Sequence, residues 1–308
     1  MSAPIIAFCN GCRGVGATTL VYHLGWMFTD LGLQVAMADL DPQSDLSILS
    51  LGYYDLETAG IHGRKSLYDL IRASPTDLTS YFPRTVEAGP PLLMGDLRLS
   101  KFDDESSVHD LHLSATLKEI FSAAVDASAA HAVLVDCGPT LGPLNRAVLM
   151  MADHLIVPLA GDNFSVHGME NLGESLRDWM QSSDASGGAH PLGYIVQQHA
   201  AGFGRPVPTT PKRFAQIPQQ FRDSVLGRPD PKANTLVEGD ELCLGVIRYY
   251  ASLMPMAQEA QKPMFHLKVA DGAIGSHFQG AQSARKDFET LARRIATAAG
   301  VRIPELVP

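Results

Sequence analysis

Apolar and polar positions along the chain form two patterns, short apolar runs and longer segments with apolar residues at helical spacing. Since a short unbroken apolar run is typical of a buried strand, the runs predict strands at 5–8, 34–39, 92–94, 132–136, 154–157 and 194–198. The helical spacing predicts helices at 19–28, 66–73, 114–130, 144–151, 165–180, 212–225 and 277–298. Alternating strands and helices indicate an α/β fold, a doubly wound and mostly parallel sheet with helices on both faces.

The same patterns predict one domain over residues 1–308. Hydrophobic residues make up 45% of the 308 positions, which is ample for a core. Segments rich in glycine, proline and charge, around 52–110 and 200–242, are predicted to be insertions on this domain. They are not expected to be linkers between two domains.

A glycine-rich segment, GCRGVGATT at residues 11–19, joins the first predicted strand to the first helix. A phosphate-binding loop (P-loop) reads G-x-x-x-x-G-K-[ST], with glycines shaping a cradle of backbone amides and a lysine reaching the terminal phosphates. Gly11 and Gly16 have this spacing and Thr18 stands at the magnesium-binding hydroxyl, but Ala17 replaces the lysine. The strand–loop–helix setting supports the motif, because a helix N-terminus directs free amides at an anion. The alternative is a glycine-rich turn without a ligand.

Carboxylates follow two of the predicted strands. Asp39 and Asp41 lie at the end of the second strand, and Asp136 ends the strand at 132–136. Because the carboxyl ends of parallel strands face the crevice in which ligands bind, these side chains are predicted to lie beside the loop. Thr18, Asp41 and Asp136 are candidates to hold Mg²⁺, directly or through water, and Asp41 is a candidate to orient an attacking water. The alternative is that each aspartate caps the turn that follows it, and for Asp39 both interpretations stay open.

In combination, these motifs resemble the ParA/MinD family of deviant Walker ATPases, which position plasmids, chromosomes and other cargo in bacteria. The family loop KGGVGKTT aligns without gaps with residues 12–19, its D-x-D-P-Q with 39–43 and its D-x-G-P with 136–139. Segments 157–172 and 254–265 are also similar, so the resemblance covers nearly the whole chain. It implies a P-loop NTPase fold that binds ATP or ADP with Mg²⁺, with the residues just after the strand at 194–198 near the adenine.

Both lysines of the family loop are absent. Cys12 stands at the signature lysine, Arg13 at a glycine and Ala17 at the P-loop lysine. The resemblance implies that the signature lysine reaches the partner's phosphates across a nucleotide-sandwiched dimer, and that the other binds phosphates within its own subunit. Losing one charge-assisted contact costs about 1.5–3 kcal/mol, roughly tenfold or more in affinity. Phosphoryl transfer depends still more on such charge, so fast ATP turnover is not expected.

Arg13 is a candidate to compensate for the missing lysines. A guanidinium binds phosphate through two N–H groups. Arg13 is therefore a candidate to bind the phosphates of its own subunit or those of a partner across a dimer. The alternative is a solvated loop arginine, and the sequence favours neither interpretation.

Three cysteines are predicted to lie near the same crevice. Cys9 and Cys12 have C-x-x-C spacing, and Cys137 follows Asp136. They are candidates for a disulfide, a metal site or an iron–sulfur contact between subunits. No fourth nearby ligand is evident and Cys9 is predicted to point into the core, which favours small buried thiols. Four cysteines without the spacing of a secreted disulfide framework suit a reducing cytosol.

Charge and hydropathy limit the possible partners. The formal net charge of −9 argues against a surface uniformly attractive to DNA. The resemblance nevertheless implies nonspecific DNA binding through basic patches that form on dimerisation, the alternative being solvated helix faces. The candidate cations are Lys212, Arg213, Arg222, Arg285, Lys286, Arg293 and Arg294. No apolar stretch is long enough to span a bilayer and the N-terminus lacks the features of a signal peptide, so a cytoplasmic location is expected.

The sequence thus predicts a ParA-like nucleotide switch with weak or absent ATP hydrolysis. An ATP-dependent homodimer would regulate binding to a ParB-like or adaptor protein, and to DNA, with Asp136 reporting the nucleotide state. The predicted phosphate-binding residues are Gly11, Cys12, Arg13, Gly14, Val15, Gly16, Ala17, Thr18 and Thr19. Two alternatives stay open, an active ATPase that uses Arg13 in place of the lysines and a scaffold that binds no nucleotide.

Overall fold

The strands and helices alternate along the chain as the apolar pattern predicts. A computed structural model describes residues 3–52, 65–73, 89–104, 110–182, 188–199, 201–202, 205–206, 216–227 and 241–304. The strands are β1 Ile5–Phe8, β2 Ala36–Leu40, β3 Leu92–Leu93, β4 Val133–Cys137, β5 His154–Ala160, β6 His190–His199, β7 Ala201–Gly202, β8 Arg205–Pro206 and β9 Cys243–Arg248. The α-helices are α1 Ala17–Asp30, α2 Asp45–Leu51, α3 Leu67–Ala73, α4 Lys101–Asp104, α5 Asp110–Ser128, α6 Pro143–Met151, α7 Asn163–Ser182, α8 Ile217–Ser224, α9 Leu253–Ala260 and α10 Ser276–Ala298.

Seven of these strands form one parallel sheet. Their order is β3-β2-β4-β1-β5-β6-β9, and every pair in it is parallel. The chain extends the sheet on one side of β1 first and on the other side afterwards, so the strand order reverses at β1. This reversal opens a crevice at the carboxyl ends of the central strands, where ligands of open α/β sheets bind. The doubly wound α/β prediction is confirmed.

Helices cover both faces of the sheet because side chains alternate along each strand. On β1, Ile5 and Ala7 face one buried cluster, whereas Ile6 and Phe8 face the other. The first cluster includes residues of α5, α6 and α7, and the second includes residues of α1 and α10. Burying a large apolar side chain of this kind contributes about 1.5–3 kcal/mol. The two clusters hold the loop between β1 and α1 at the carboxyl edge.

The edge of the sheet was not predicted. The predicted strands do not include β9, and the predicted helices do not include α9, which follows it. β9 pairs with β6 at the end of the sheet. An edge strand is covered on fewer sides, and in β9 only Leu244 and Ile247 are buried, so the strand does not form a continuous buried apolar run. The predicted helix at 212–225 is seen as α8, which begins at Ile217. Residues 212–215 and much of both predicted insertions lie outside the described residues.

Candidate functional site

The loop between β1 and α1 forms an open nest of backbone amides. Gly14 and Gly16 have φ of 77° and 78°, a left-handed conformation that glycine adopts without a steric penalty. Gly16 is the N-cap of α1, and the helix has neither a side-chain cap nor an acidic residue in its first turn. Its first amides and the positive end of its dipole are therefore available to an anion.

A cavity of about 310 Å³ lies over this nest. Eight of the nine predicted phosphate-binding residues line it, together with Asp41, Cys137 and Pro139; these eight are Cys12, Arg13, Gly14, Val15, Gly16, Ala17, Thr18 and Thr19. The ninth, Gly11, instead packs against α7, since a Cβ on Gly11 would lie 3.0 Å from the Gly168 carbonyl oxygen. The loop residues thus surround a space that their own side chains do not fill.

Asp39 is held by the turn that follows β2. One carboxylate oxygen accepts hydrogen bonds from the backbone N–H of Ser47 at 2.8 Å and from its hydroxyl at 2.6 Å. The other accepts from the backbone N–H of Asp41 at 3.2 Å. Burial raises the pKa of Asp39 to about 7, although the Ser47 donors oppose this shift. The structure supports the turn-holding interpretation of Asp39.

Asp136 is equally buried but lacks such donors. No donor among the described residues meets normal hydrogen-bond geometry for either of its carboxylate oxygens. Burial and the charge of Asp39 raise the pKa of Asp136 well above its usual range, while the nearby Thr18 hydroxyl lowers it. A buried carboxylate with two unused oxygens, next to a hydroxyl, is a donor set that suits Mg²⁺. These residues fit the metal that the fold family implies.

Asp41 and Asp45 add negative charge to the cavity wall. Asp41 accepts a hydrogen bond from the backbone N–H of Gln43 at 2.9 Å and lines the cavity. Asp45, the first residue of α2, also lines it and was missed by the sequence analysis. Burial and Asp41 raise the pKa of Asp45, whereas Arg13 lowers it. Arg13 is thus the cation that lines the cavity, and its charge acts on Asp45.

The cysteines divide into a buried pair and a loop residue. Cys9 and Cys137 follow or end neighbouring strands and are both buried, as predicted for Cys9. A hydrogen bond from the Cys137 thiol to Cys9 is the largest cause of the raised pKa of Cys137, followed by burial. Cys12 is half-buried, and burial and Asp162 raise its pKa. In the part of the chain that the structure describes, no three or more histidine, cysteine or acidic residues are placed to hold a metal ion.

A second cavity, of about 140 Å³, adjoins the loop at Gly16 and Thr19. The end of β9 and the residues after it, Ile247 to Tyr250, form one wall. Asp287 of α10 orders this wall, because it accepts hydrogen bonds from the Arg248 guanidinium at 2.9 Å and from the Tyr250 hydroxyl at 2.6 Å. Sequence analysis missed this wall together with β9. The side chains of residues 198–200, expected near the adenine, lie outside the described part.

The candidate DNA-binding cations are partly engaged elsewhere. On α10, Arg285 donates to Asp30 at 2.8 Å and Arg293 donates to Glu289 at 2.9 Å. Arg222 lies in the last turn of α8, and residues 212 and 213 are outside the described ranges. No helix within those ranges has both the length and the apolar character needed to cross a bilayer.

Comparison with known proteins places this site in a family. Residues 3–185 match the protein-family model described as AAA domain, which is more than half of the chain. The virulence plasmid ParA family protein pGP5-D of Chlamydia muridarum is 32% identical over 175 residues. The chain belongs to the ParA/MinD family of P-loop ATPases. The chromosome partitioning protein ParA of Caulobacter vibrioides is 26% identical over 174 residues of this ParA-like chain.

The ParA-like chain matches only part of these relatives. The matched segment covers 56% of the chain and 60% of pGP5-D, and 54% of the chain and 60% of the Caulobacter protein. The match therefore covers less than two thirds of the length of either relative.

Solved structures extend the likeness over the whole fold. The putative plasmid partition protein from Borrelia burgdorferi bound to AMPPNP has a TM-score of 0.65 at 17% identity, covering 96% of this chain and 99% of that one. Cyanothece McdA in complex with ATP has a TM-score of 0.64 at 17% identity, covering 100% and 99%. At this identity the comparisons establish the ParA/MinD fold.

Proposed function

We propose that this chain is a ParA-like nucleotide switch that binds ATP or ADP with Mg²⁺ and hydrolyses ATP weakly or not at all. The observation that carries the proposal is the uncapped amide nest, which opens into a cavity of about 310 Å³ lined by Thr18 and Asp41, with the buried carboxylate of Asp136 next to the Thr18 hydroxyl. The open cavity favours this function over a scaffold that binds no nucleotide.

The phosphates are assigned to the loop residues that line the cavity, Cys12 to Thr19. The backbone amides of the nest and the first turn of α1 supply hydrogen bonds that need no lysine. Arg13 supplies the cation that lines the cavity, and its exposed position would let it reach a phosphate in its own subunit or in a partner. Binding is therefore weaker than in a loop with both lysines.

Magnesium supplies the remaining positive charge when it is bound. Thr18 and Asp136 would hold it, with Asp41 acting directly or through a water. Asp41 lines the cavity and is the candidate to orient an attacking water, which would allow slow hydrolysis. Without either lysine, the charge that develops on a transferred phosphoryl group lacks most of its compensation.

The nucleotide base is assigned to the cavity of about 140 Å³ next to the loop. Tyr249 and Tyr250 line it, and an aromatic wall suits a planar base. The ordered Arg248–Asp287–Tyr250 group keeps that wall in place. The Cyanothece McdA structure is a complex with ATP and the Borrelia structure contains AMPPNP, which supports a nucleotide as the ligand.

Nucleotide binding is proposed to control assembly with a second copy and with a partner protein. Phe164 at the start of α7 is 78% exposed, and the same helix packs on the loop through Gly168 and Cys12. A second copy that covers this face would bury Phe164 next to the phosphates. The names of the relatives, a virulence plasmid ParA family protein and a chromosome partitioning protein, support partitioning or positioning as the process. The proposed partner is a ParB-like or adaptor protein.

DNA is a secondary candidate partner. The ion pairs of Arg285 and Arg293 reduce the charge that α10 offers to phosphates, and the chain is acidic overall. The test is retention of the protein on duplex DNA at low salt in the presence of ATP. Retention that falls steeply as the salt concentration rises would support DNA binding as part of the function. A lack of retention under those conditions would exclude it.

Mass measurement by light scattering tests the switch. With ATP and Mg²⁺ the chain is expected to be a dimer, and with ADP or without nucleotide a monomer. Phosphate release, measured on the same samples, separates slow or absent hydrolysis from the alternative of an active ATPase that uses Arg13. An unchanged mass in all three conditions would contradict the proposed function.

A further inference from the structure

Gln197 of β6 is bonded to the phosphate loop across a sequence separation of 182 residues. Its side-chain Nε2 donates a hydrogen bond to the Val15 carbonyl oxygen at 2.6 Å. The residue is only 4% exposed, so this bond lies in the interior of the protein. Leaving a buried polar group without its partner costs about 1–3 kcal/mol, which makes the contact a strong local restraint.

The same carboxamide packs directly on the left-handed glycine of the loop. A Cβ added to Gly16 would lie 2.6 Å from Nε2 of Gln197, closer than any ordinary contact. Gln197 therefore touches the loop at two successive residues, Val15 and Gly16. These residues immediately precede α1, where the nest presents its free amides.

Gln197 approaches the loop from the side away from the phosphate cavity. It lines the cavity of about 140 Å³ and does not belong to the wall of the larger one. The Val15 carbonyl accordingly points towards β6, while the amides of the nest remain available to an anion. One side chain thus connects the back of the phosphate loop with the neighbouring cavity.

We infer that Gln197 is a positioning residue that holds the lysine-free loop in its anion-binding shape. This inference rests on the proposed nucleotide site and identifies what preorganises it. A loop that carries no ammonium group relies on fixed backbone amides, and ordering them only on binding would weaken affinity. The bond to Val15 provides that order before the ligand arrives, and a base in the smaller cavity would contact the same carboxamide.

The test compares two variants with one matched control. Gln197→Ala removes the carboxamide, and Gln197→Met keeps a side chain of similar length that has no N–H donor for the Val15 carbonyl. Gln279→Ala removes an exposed glutamine of α10 and serves as the control. The probes are Mg²⁺–tripolyphosphate, which reports the loop alone, and Mg²⁺–ATP, which reports the loop and the smaller cavity.

Both Gln197 variants are expected to bind tripolyphosphate about tenfold more weakly, which corresponds to about 1.4 kcal/mol. Without ligand, amide hydrogen exchange should rise at residues 14–19 and stay unchanged in the strands of the sheet. The control should match the unsubstituted chain in both measurements. Weaker ATP binding with unchanged tripolyphosphate binding would overturn the inference, because Gln197 would then act only on the base or sugar.

A rise in exchange spread over the whole sheet would also overturn it, since that pattern marks a general structural role. Should the unsubstituted chain bind neither probe, the proposed function fails. Exchange at residues 14–19 still tests the restraint by Gln197 in that case. The two failures are therefore distinguishable.

Discussion

Asp39 and Asp136 lie directly opposite each other on the neighbouring parallel strands β2 and β4. Both are buried, but Asp39 accepts three hydrogen bonds from Asp41 and Ser47, whereas neither oxygen of Asp136 has a donor of normal geometry among the described residues. The first carboxylate is used to hold a turn. The second is available to a cation, at a cost in stability while none is bound.

Asp136→Asn is expected to stabilise the ligand-free protein. The variant removes a carboxyl whose folded-state pKa is raised by burial and by Asp39, and such a group favours the unfolded state once the unfolded chain ionises. We expect a gain of about 1–3 kcal/mol at neutral pH, measured by denaturant unfolding. Protection against unfolding by Mg²⁺–ATP should be lost in the same variant.

The pH dependence of that gain has a defined sign. Below about pH 4, Asp136 is protonated in both states and contributes no difference. As pH rises, the unfolded chain releases the proton first, so the unsubstituted protein loses stability relative to the Asn variant. The stability advantage of the variant should therefore be larger at pH 8 than at pH 5. A variant less stable than the parent at pH 8 would contradict the claim that Asp136 lacks a well-placed hydrogen-bond donor.

Ser47→Ala should have the opposite effect on stability. Its hydroxyl donates to Asp39 at 2.6 Å and accepts from the Gly95 backbone N–H at 3.0 Å, both in the interior. Loss of these bonds should destabilise the fold by about 1–3 kcal/mol in thermal or denaturant unfolding. Ser252→Ala, at an exposed position, should change stability by less than about 0.5 kcal/mol. Equal stability of Ser47→Ala and Ser252→Ala would contradict the structural role assigned to Asp39.

Arg13→Ala tests whether the loop cation compensates for the missing lysines. We expect Mg²⁺–ATP binding to weaken roughly tenfold, since one charge-assisted contact to phosphate is lost. Arg294→Ala, an exposed arginine on α10, should leave affinity unchanged. The measurement is calorimetric titration, accompanied by the mass of the ATP-bound form. Unchanged ATP affinity and dimerisation in Arg13→Ala would show that Arg13 is a solvated loop residue.

Ala17→Lys restores the P-loop lysine at the first residue of α1. Ala17 lines the phosphate cavity, so an ammonium group there is expected to reach the terminal phosphates. Affinity for Mg²⁺–ATP should rise about tenfold, and phosphate release should increase by more, because charge compensation acts chiefly in the transition state. A variant that folds but gains neither property would show that the loop no longer places position 17 at the phosphates.

The parallel sheet and the loop were predictable because both are encoded by residues close together in sequence. Apolar runs such as 5–8 and 132–136 specify buried strands, and the glycines at 11–16 specify the nest between strand and helix. The edge strand β9 was not predictable in this way, because only Leu244 and Ile247 of its six residues are buried.

Contacts made across the sheet could not be predicted from the sequence either. The reach of Gln197 to Val15 depends on the neighbouring order of β1, β5 and β6, which no local pattern contains. The difference between Asp39 and Asp136 has a similar origin. Both end apolar strands, and the positions of Ser47 on α2 and of the Asp41 backbone N–H make Asp39 the one that is hydrogen-bonded.

Calorimetric titration of the full chain with ATP in the presence of Mg²⁺ is the most direct test of the lysine-free site. We expect saturable binding of one ATP per chain, with an affinity that falls when Mg²⁺ is withheld, because the cation offsets the charge that Asp136 and the phosphates bring together. Detectable binding to Ala17→Lys but none to the unsubstituted chain would contradict it. The amide nest would then be unable to hold a triphosphate without an ammonium group.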